Sequence, residues 1–70
     1  MKDKIKQQAK GLIQESLDKG HTLSEAKEIA EGQRLIVLAG LEEDPRNKLL
    51  MPEVYEGLEL LKIEIESYEL

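Results

Sequence analysis

Aliphatic residues near the start of the chain recur with the period of a helix. Five of them follow one another at spacings of four, three, one and four positions, which places them on one face of a 3.6-residue period. They are Ile5, Ala9, Leu12, Ile13 and Leu17. Lys19 and Gly20 come next, and glycine tolerates the left-handed conformation that commonly ends a helix. The pattern predicts a first helix over about residues 3–19.

A second helix has a clear start signal in the turn that follows. Thr22 and Glu25 have the spacing of a capping box, in which each side chain bonds the backbone N–H of the other residue. Asp44 and Pro45 mark the opposite boundary, since Asp favours the cap and Pro the first position of a new helix. We therefore predict a helix over about residues 22–43.

The second half of this helix is apolar on every side. Consecutive helical residues are about 100° apart, so the apolar run from Leu35 to Ala39 points in all directions. We expect other helices to enclose this half on several sides. The alternative is a buried strand over residues 34–41, because Ile and Val favour strands and a short apolar run has no diagnostic period.

The last third of the chain has the heptad spacing of a helix that packs against other helices. A short helical turn is predicted over Arg46 to Met51, where Pro52 interrupts it. A third helix follows over about residues 52–69, with a seam of apolar residues at spacings of four, three, four and three. The seam consists of Val54, Leu58, Leu61, Ile65 and Tyr68. A strand over residues 60–66 is the alternative, because polar and apolar residues alternate there.

Together these patterns predict one all-α domain over residues 1–70 with three main helices. A chain of 70 residues buries only about 60% of the surface that its unfolded form exposes. The core is expected to be small, because Tyr55 and Tyr68 are the only aromatic residues and no cysteine is present to form a disulfide. We therefore expect self-association, most simply as a homodimer, to complete the fold.

Charge is distributed unevenly along the chain, whose net charge is −5. Residues 1–20 carry five cations and three anions, residues 21–44 carry two and six, and residues 45–70 carry three and six. Nucleic acid is not expected as a ligand, because a duplex-binding protein usually concentrates cations on one face. A membrane is not expected as a partner either, since no stretch approaches the length of an apolar span and no run is typical of a secretory signal. The expected location is cytoplasmic.

The residue types predict no catalytic, cofactor or metal site. His21 is the only histidine, and transition-metal sites need three or four convergent ligands. Glutamates recur every three positions from Glu25 to Glu31 and from Glu53 to Glu59, which places a stripe of carboxylates along each helix. We interpret both stripes as solvated faces, because a di-iron site would need a Glu-x-x-His motif. The glycines form no phosphate-binding loop.

One segment, residues 20–33, carries a resemblance to known proteins. Its matching positions are Gly20, Leu23, Glu25, Ala26, Ile29, Gly32 and Gln33, and an apolar stretch and then acidic residues follow them. The segment resembles small accessory proteins from phages of Gram-positive bacteria, including a staphylococcal phage family of unknown function. The resemblance implies a phage or prophage origin and implies no activity.

These observations predict a small non-catalytic protein-interaction module. The resemblance suggests a phage accessory factor that binds and modulates a host or phage protein. The interaction surface is expected in the apolar block of the second helix and the seam of the third, namely Leu35, Ile36, Val37, Leu38, Val54, Leu58, Leu61, Ile65 and Tyr68. The alternative hypothesis is an inhibitor of a DNA-processing or defence enzyme that mimics nucleic acid with the carboxylates of the second and third helices.

Overall fold

The computed structural model describes residues 2–70, with side chains from Asp3 onward. It contains four helices in chain order, which are α1 (Lys2–Asp18), α2 (Leu23–Glu42), α3 (Asn47–Leu50) and α4 (Pro52–Ser67). The all-α prediction is confirmed, and the short turn predicted before Pro52 is present as α3. Both strand alternatives are wrong, because residues 34–41 and 60–66 are helical and no strand occurs among the described residues.

The turn between α1 and α2 follows from the residues that the sequence pattern singled out. Gly20 has a φ of 94°, a left-handed conformation that glycine adopts without strain. Thr22 and Glu25 then form the predicted capping box. The Thr22 backbone N–H donates to Glu25 Oε1 at 2.9 Å, and the Glu25 backbone N–H donates to Thr22 Oγ1 at 3.2 Å. These hydrogen bonds satisfy N–H groups that the first turn of a helix leaves free.

A second set of polar contacts links α2 to α3. The Asn47 side-chain amide donates to the Leu41 carbonyl oxygen at 2.8 Å, which satisfies an acceptor in the last turn of α2. Asp44 accepts from the backbone N–H of Arg46 at 3.0 Å and also pairs with its guanidinium. Pro52 then opens α4, where its fixed φ fits a first helical turn and its missing N–H costs no hydrogen bond.

The hydrophobic core lies where α1, α2 and α4 meet. Each of these helices packs against the other two, and the core residues are small or aliphatic. Ile13 and Ile65 are its largest fully buried side chains, and each contributes about 1.5–3 kcal/mol through burial. The whole cluster consists of Ile5, Ala9, Ile13, Ala26, Ala30, Leu61 and Ile65.

Burial falls off along α2 and α4 towards the tip where α3 joins them. On α4, Ile65 is 1% exposed and Val54 is 42% exposed, although the two lie on the same heptad seam. On α2, Ala30 is 0% exposed and Val37 is 52% exposed. Because α2 and α4 run antiparallel, both well-buried stretches lie at one end of the molecule.

Two ends of the molecule can therefore be distinguished. The closed end comprises α1, residues 23–34 of α2 and residues 58–67 of α4. The open end comprises residues 35–42 of α2, α3 and residues 52–57 of α4. Among the described residues, α3 contacts α2 and α4 but not α1. The open end is thus built from two long helices and a short connector, and it lacks a third long helix to cover its apolar side.

Candidate interaction surfaces

The nine residues predicted as an interaction surface divide between the core and the exterior. Leu58, Leu61 and Ile65 are buried, and Leu61 and Ile65 belong to the core cluster. Leu38 and Tyr68 are half-buried. The exposed members are Leu35, Ile36, Val37 and Val54. Within a single chain the apolar block is therefore not enclosed as expected, and only these four residues remain accessible to a partner.

The first exposed surface is a groove at the junction of the two ends, which we call the junction groove. Its volume is about 500 Å³. Apolar side chains from all three long helices line it, and they are Leu12, Val37, Leu58 and Leu61. Its polar border comprises Gln7, Gln8, Glu15, Gln33 and Arg34, and Gly11 contributes no side chain to the border. The groove runs alongside α1, and Val37 is the one lining residue that belongs to the open end.

The second exposed surface lies on the side of α2 that faces away from the bundle, and we call it the outer face. Ile36 follows the buried Arg34 by two positions, which places it about 200° around the helix. It is 73% exposed, more than any other large apolar residue of α2. Ile29, one heptad earlier, lies on the same face and is also exposed. Gly32 and Gly40 lie near them, and a Cβ on either glycine would meet no other described atom within 4 Å.

A partly buried ion pair lies where the two ends meet. Arg34 is 4% exposed, and its Nε donates to both carboxylate oxygens of Glu31 at 3.1 and 3.0 Å. Its Nη2 donates to Glu31 Oε1 at 2.6 Å, and Nη1 reaches the Leu58 carbonyl oxygen of α4 at 3.5 Å. The hydrogen bonds from Arg34 lower the pKa of Glu31, and the same bonds raise the pKa of Arg34.

This ion pair was not predicted from the sequence. A signal was nevertheless present, because Ala26, Ala30 and Arg34 are spaced four apart on the core-facing stripe, and Glu31 precedes Arg34 by one helical turn. An arginine on an apolar stripe requires a partner when it is buried, and the nearest carboxylate on the same helix was the best candidate.

Charge is also divided between the two ends. Lys4, Lys6 and Lys10 are exposed on α1 at the closed end. The tip of the open end carries exposed carboxylates at the end of α2 and the start of α4, namely Glu42, Glu43, Glu53 and Glu56. Lys4 precedes Gln8 by one helical turn, so it extends the row of α1 residues that borders the junction groove. Glu15 also borders the groove and Lys48 also lies at the tip, but cations predominate at the start of α1 and anions predominate at the tip of the open end.

No group of three or more histidine, cysteine, aspartate or glutamate residues able to hold a metal ion occurs among the described residues. The single histidine, His21, lies with Nδ1 at 3.9 Å from Glu25 Oε1, on an exposed turn. No helix in the described part of the chain is long and apolar enough to cross a bilayer.

Comparison with other proteins gives no family. No family model matches the chain, and neither do any curated proteins or solved structures. The resemblance of residues 20–33 to phage accessory proteins therefore stays a prediction.

Proposed function

We propose that this chain is a non-catalytic protein-interaction module that binds another protein through the outer face of α2. The observation that carries the proposal is the exposure of Ile36 within a well-formed helix, one heptad after the exposed Ile29. An isolated exposed leucine is ordinary, whereas exposed aliphatic residues that recur on one helix face are typical of a contact surface. The resemblance of residues 20–33 supports the narrower proposal of a phage or prophage accessory factor.

The outer face is uncharged over a length that suits a partner helix. Between Ile29 and Leu41 the only charged residues are Glu31 and Arg34, which pair with each other. These 13 residues span about 20 Å of helix axis. A partner can therefore bury the middle of α2 without removing an unpaired charge from water, which is the most costly part of many interfaces.

Charge indicates the chemistry of that partner. Glu25 and Glu28 lie before the uncharged stretch, and Glu42 and Glu43 lie after it. A protein segment that fits this surface is expected to have an apolar centre with lysine or arginine on either side. An amphipathic helix meets that description, and docking of such a helix onto an apolar face is a common mode of recognition.

A capture experiment tests the proposal with variants matched for exposure. The parent protein, Ile36→Glu and Ile63→Glu would be immobilised and exposed to a lysate of the host. Ile63 is an exposed residue of α4, so the control adds the same charge elsewhere. We expect a protein that binds the parent and Ile63→Glu but is lost by Ile36→Glu. Identical sets of bound proteins for all three would contradict the proposal.

A further inference from the structure

The apolar side of the open end has no covering helix, and its geometry points to a specific occupant. We propose that a second copy of this chain packs against it, with the two copies related by a two-fold axis. The α2–α4 layers of the two open ends then face each other, and each completes the core of the other next to the junction groove. This surface is distinct from the outer face of α2, so the inference goes beyond the proposed function.

The inner sides of α2 and α4 have the spacing of helices that pack together, and Val37 and Val54 are their exposed members. On α2 the row Ala30, Arg34, Val37 and Leu41 has spacings of four, three and four. On α4 the row Val54, Leu58, Leu61 and Ile65 has the same spacings. The rows form the inner side of an antiparallel helix pair, and at the closed end α1 covers them. Two such pairs packed face to face make a four-helix bundle, in which heptad positions of this kind interlock.

Charge complementarity favours a second copy over an unrelated chain. In a two-fold arrangement, the tip of each copy reaches towards the part of α1 that borders the junction groove in the other copy. That brings Glu53 of the tip towards Lys4, which lies on the groove side of α1, and the symmetry makes this contact twice. The start of α1 also carries the positive end of a helix dipole, which favours nearby carboxylates. The chain therefore carries both halves of one complementary surface.

The residues that the second copy would cover can be substituted without disturbing the closed end. Val37 and Val54 are about half exposed in the single chain, so a polar substitution there does not disrupt the buried cluster. Ile36 is the neighbour of Val37 and lies about 100° away on the helix, on the outer face. A glutamate substitution at Val37 therefore tests the surface that the second copy would cover, whereas one at Ile36 tests the outer face.

Solution mass measured by light scattering gives the first test. The parent protein is expected at twice the chain mass in both low and high salt, because burial of aliphatic side chains provides most of the affinity. Val37→Glu and Val54→Glu are expected to weaken self-association by roughly 100-fold or more, since each would bury a carboxylate. Ile36→Glu is expected to remain a dimer. Circular dichroism of each variant shows whether its helices persist.

Three results would overturn the inference. They are a monomeric parent protein at the highest soluble concentration, a dimer that Val37→Glu and Val54→Glu leave intact, and a dimer that Ile36→Glu dissociates. The proposed function is judged separately. A monomer that still captures a protein through Ile36 contradicts only the second copy, whereas a dimer that captures nothing contradicts only the proposed function.

A charge exchange tests the two-fold geometry even if a core-facing variant fails to fold. One variant is Lys4→Glu, and the other is Glu53→Lys. Each alone places like charges together at both symmetric contacts, so self-association is expected to weaken roughly tenfold. A mixture of the two variants restores opposite charges at both contacts and is expected to form mixed dimers at parental affinity. Mixed dimers that are no more stable than the dimers of either variant alone would overturn the two-fold arrangement.

Discussion

The closed and open ends use similar residues at similar spacings, yet they differ sharply in burial. The seam of α4 runs through both ends, and its side chains pass from fully buried at Ile65 to nearly half exposed at Val54. The helix itself does not change along this length. What changes is the number of helices that surround it, because α1 packs beside the closed end and leaves the tip uncovered. A heptad seam therefore indicates a surface that can pack against other helices, while burial depends on whether another helix is present.

The two ends also differ in how far their charged side chains are removed from water. At the closed end a charged side chain, Arg34, is accommodated because Glu31 and a backbone carbonyl of α4 satisfy it. At the open end the Asp44–Arg46 pair lies at the surface, where water competes with it. The same kind of contact is thus part of the interior at one end and a surface feature at the other.

Removal of a core side chain at the closed end should have the largest effect on the free energy of unfolding. Ile13→Ala is expected to lower the free energy of unfolding by about 3 kcal/mol, because the enclosed side chain would leave a void. Ile36→Ala, at an exposed position, is expected to change it by less than about 0.5 kcal/mol. Urea denaturation followed by circular dichroism, at one protein concentration, measures both. Equal losses would show that α2 is as well packed on its outer face as α1 is in the core.

Loss of the ion pair between the ends should have the next largest effect. Arg34→Ala is expected to lower the free energy of unfolding by about 2 kcal/mol, because Glu31 loses its partner and the hydrogen bond from α2 to the Leu58 carbonyl oxygen of α4 is lost. Arg46→Ala removes an exposed pair and serves as the control, with little change expected. If the two substitutions proved equivalent in urea denaturation, Arg34 would have no structural role beyond that of a surface residue.

Glycine substitutions should give smaller effects of opposite sign. Gly40→Ala is expected to raise the free energy of unfolding by about 0.5–1 kcal/mol, since alanine favours the helix and the added Cβ meets no described atom. Gly20→Ala is expected to lower it, because an alanine is strained at a φ of 94°. Thermal denaturation of both variants provides the measurement. Destabilisation by Gly40→Ala would indicate that a partner already packs closely there.

Acidification should give the smallest of these effects, because it removes only the contribution of the Glu31–Arg34 ion pair to stability. Pairing with Arg34 holds the pKa of Glu31 below its ordinary value of 4.5 in the folded chain. Its contribution to stability is therefore complete above that value and is lost as the pH falls through the lower pKa of the folded state. We expect Glu31→Gln to show a smaller loss of stability on acidification than the parent. Urea denaturation as a function of pH compares the two proteins.

Local signals in the sequence predicted most of the fold. The helical period of α1, the left-handed glycine at its end and the capping box of α2 each depend on residues within a few positions of one another. Such patterns are visible in a single sequence because the relevant interactions are local. The boundaries of α2 and α4 accordingly agree with the predictions to within a few residues.

The burial of particular residues was harder to predict, because it depends on how far one helix extends beside another. The pattern placed Leu35 to Ala39 in an enclosed block, but enclosure would require a neighbour that α1 does not provide within the single chain. The pattern likewise treated the seam of α4 as one interaction surface, although three of its five residues are buried inside the molecule. Neither outcome can be derived from the period of a helix alone.

The exposed connector α3 has a consequence for how the chain withstands cleavage. Leu49 and Leu50 are both largely exposed in a helix of four residues. A protease that cleaves next to leucine can therefore reach the peptide bond between them after little local unfolding. Cleavage there would give one fragment with α1 and α2 and another with α4. Because the core joins α4 to both other helices, the fragments should stay associated and elute together under native conditions, and they should separate only in denaturant. The molecule would then behave as a split protein that assembles from its two pieces.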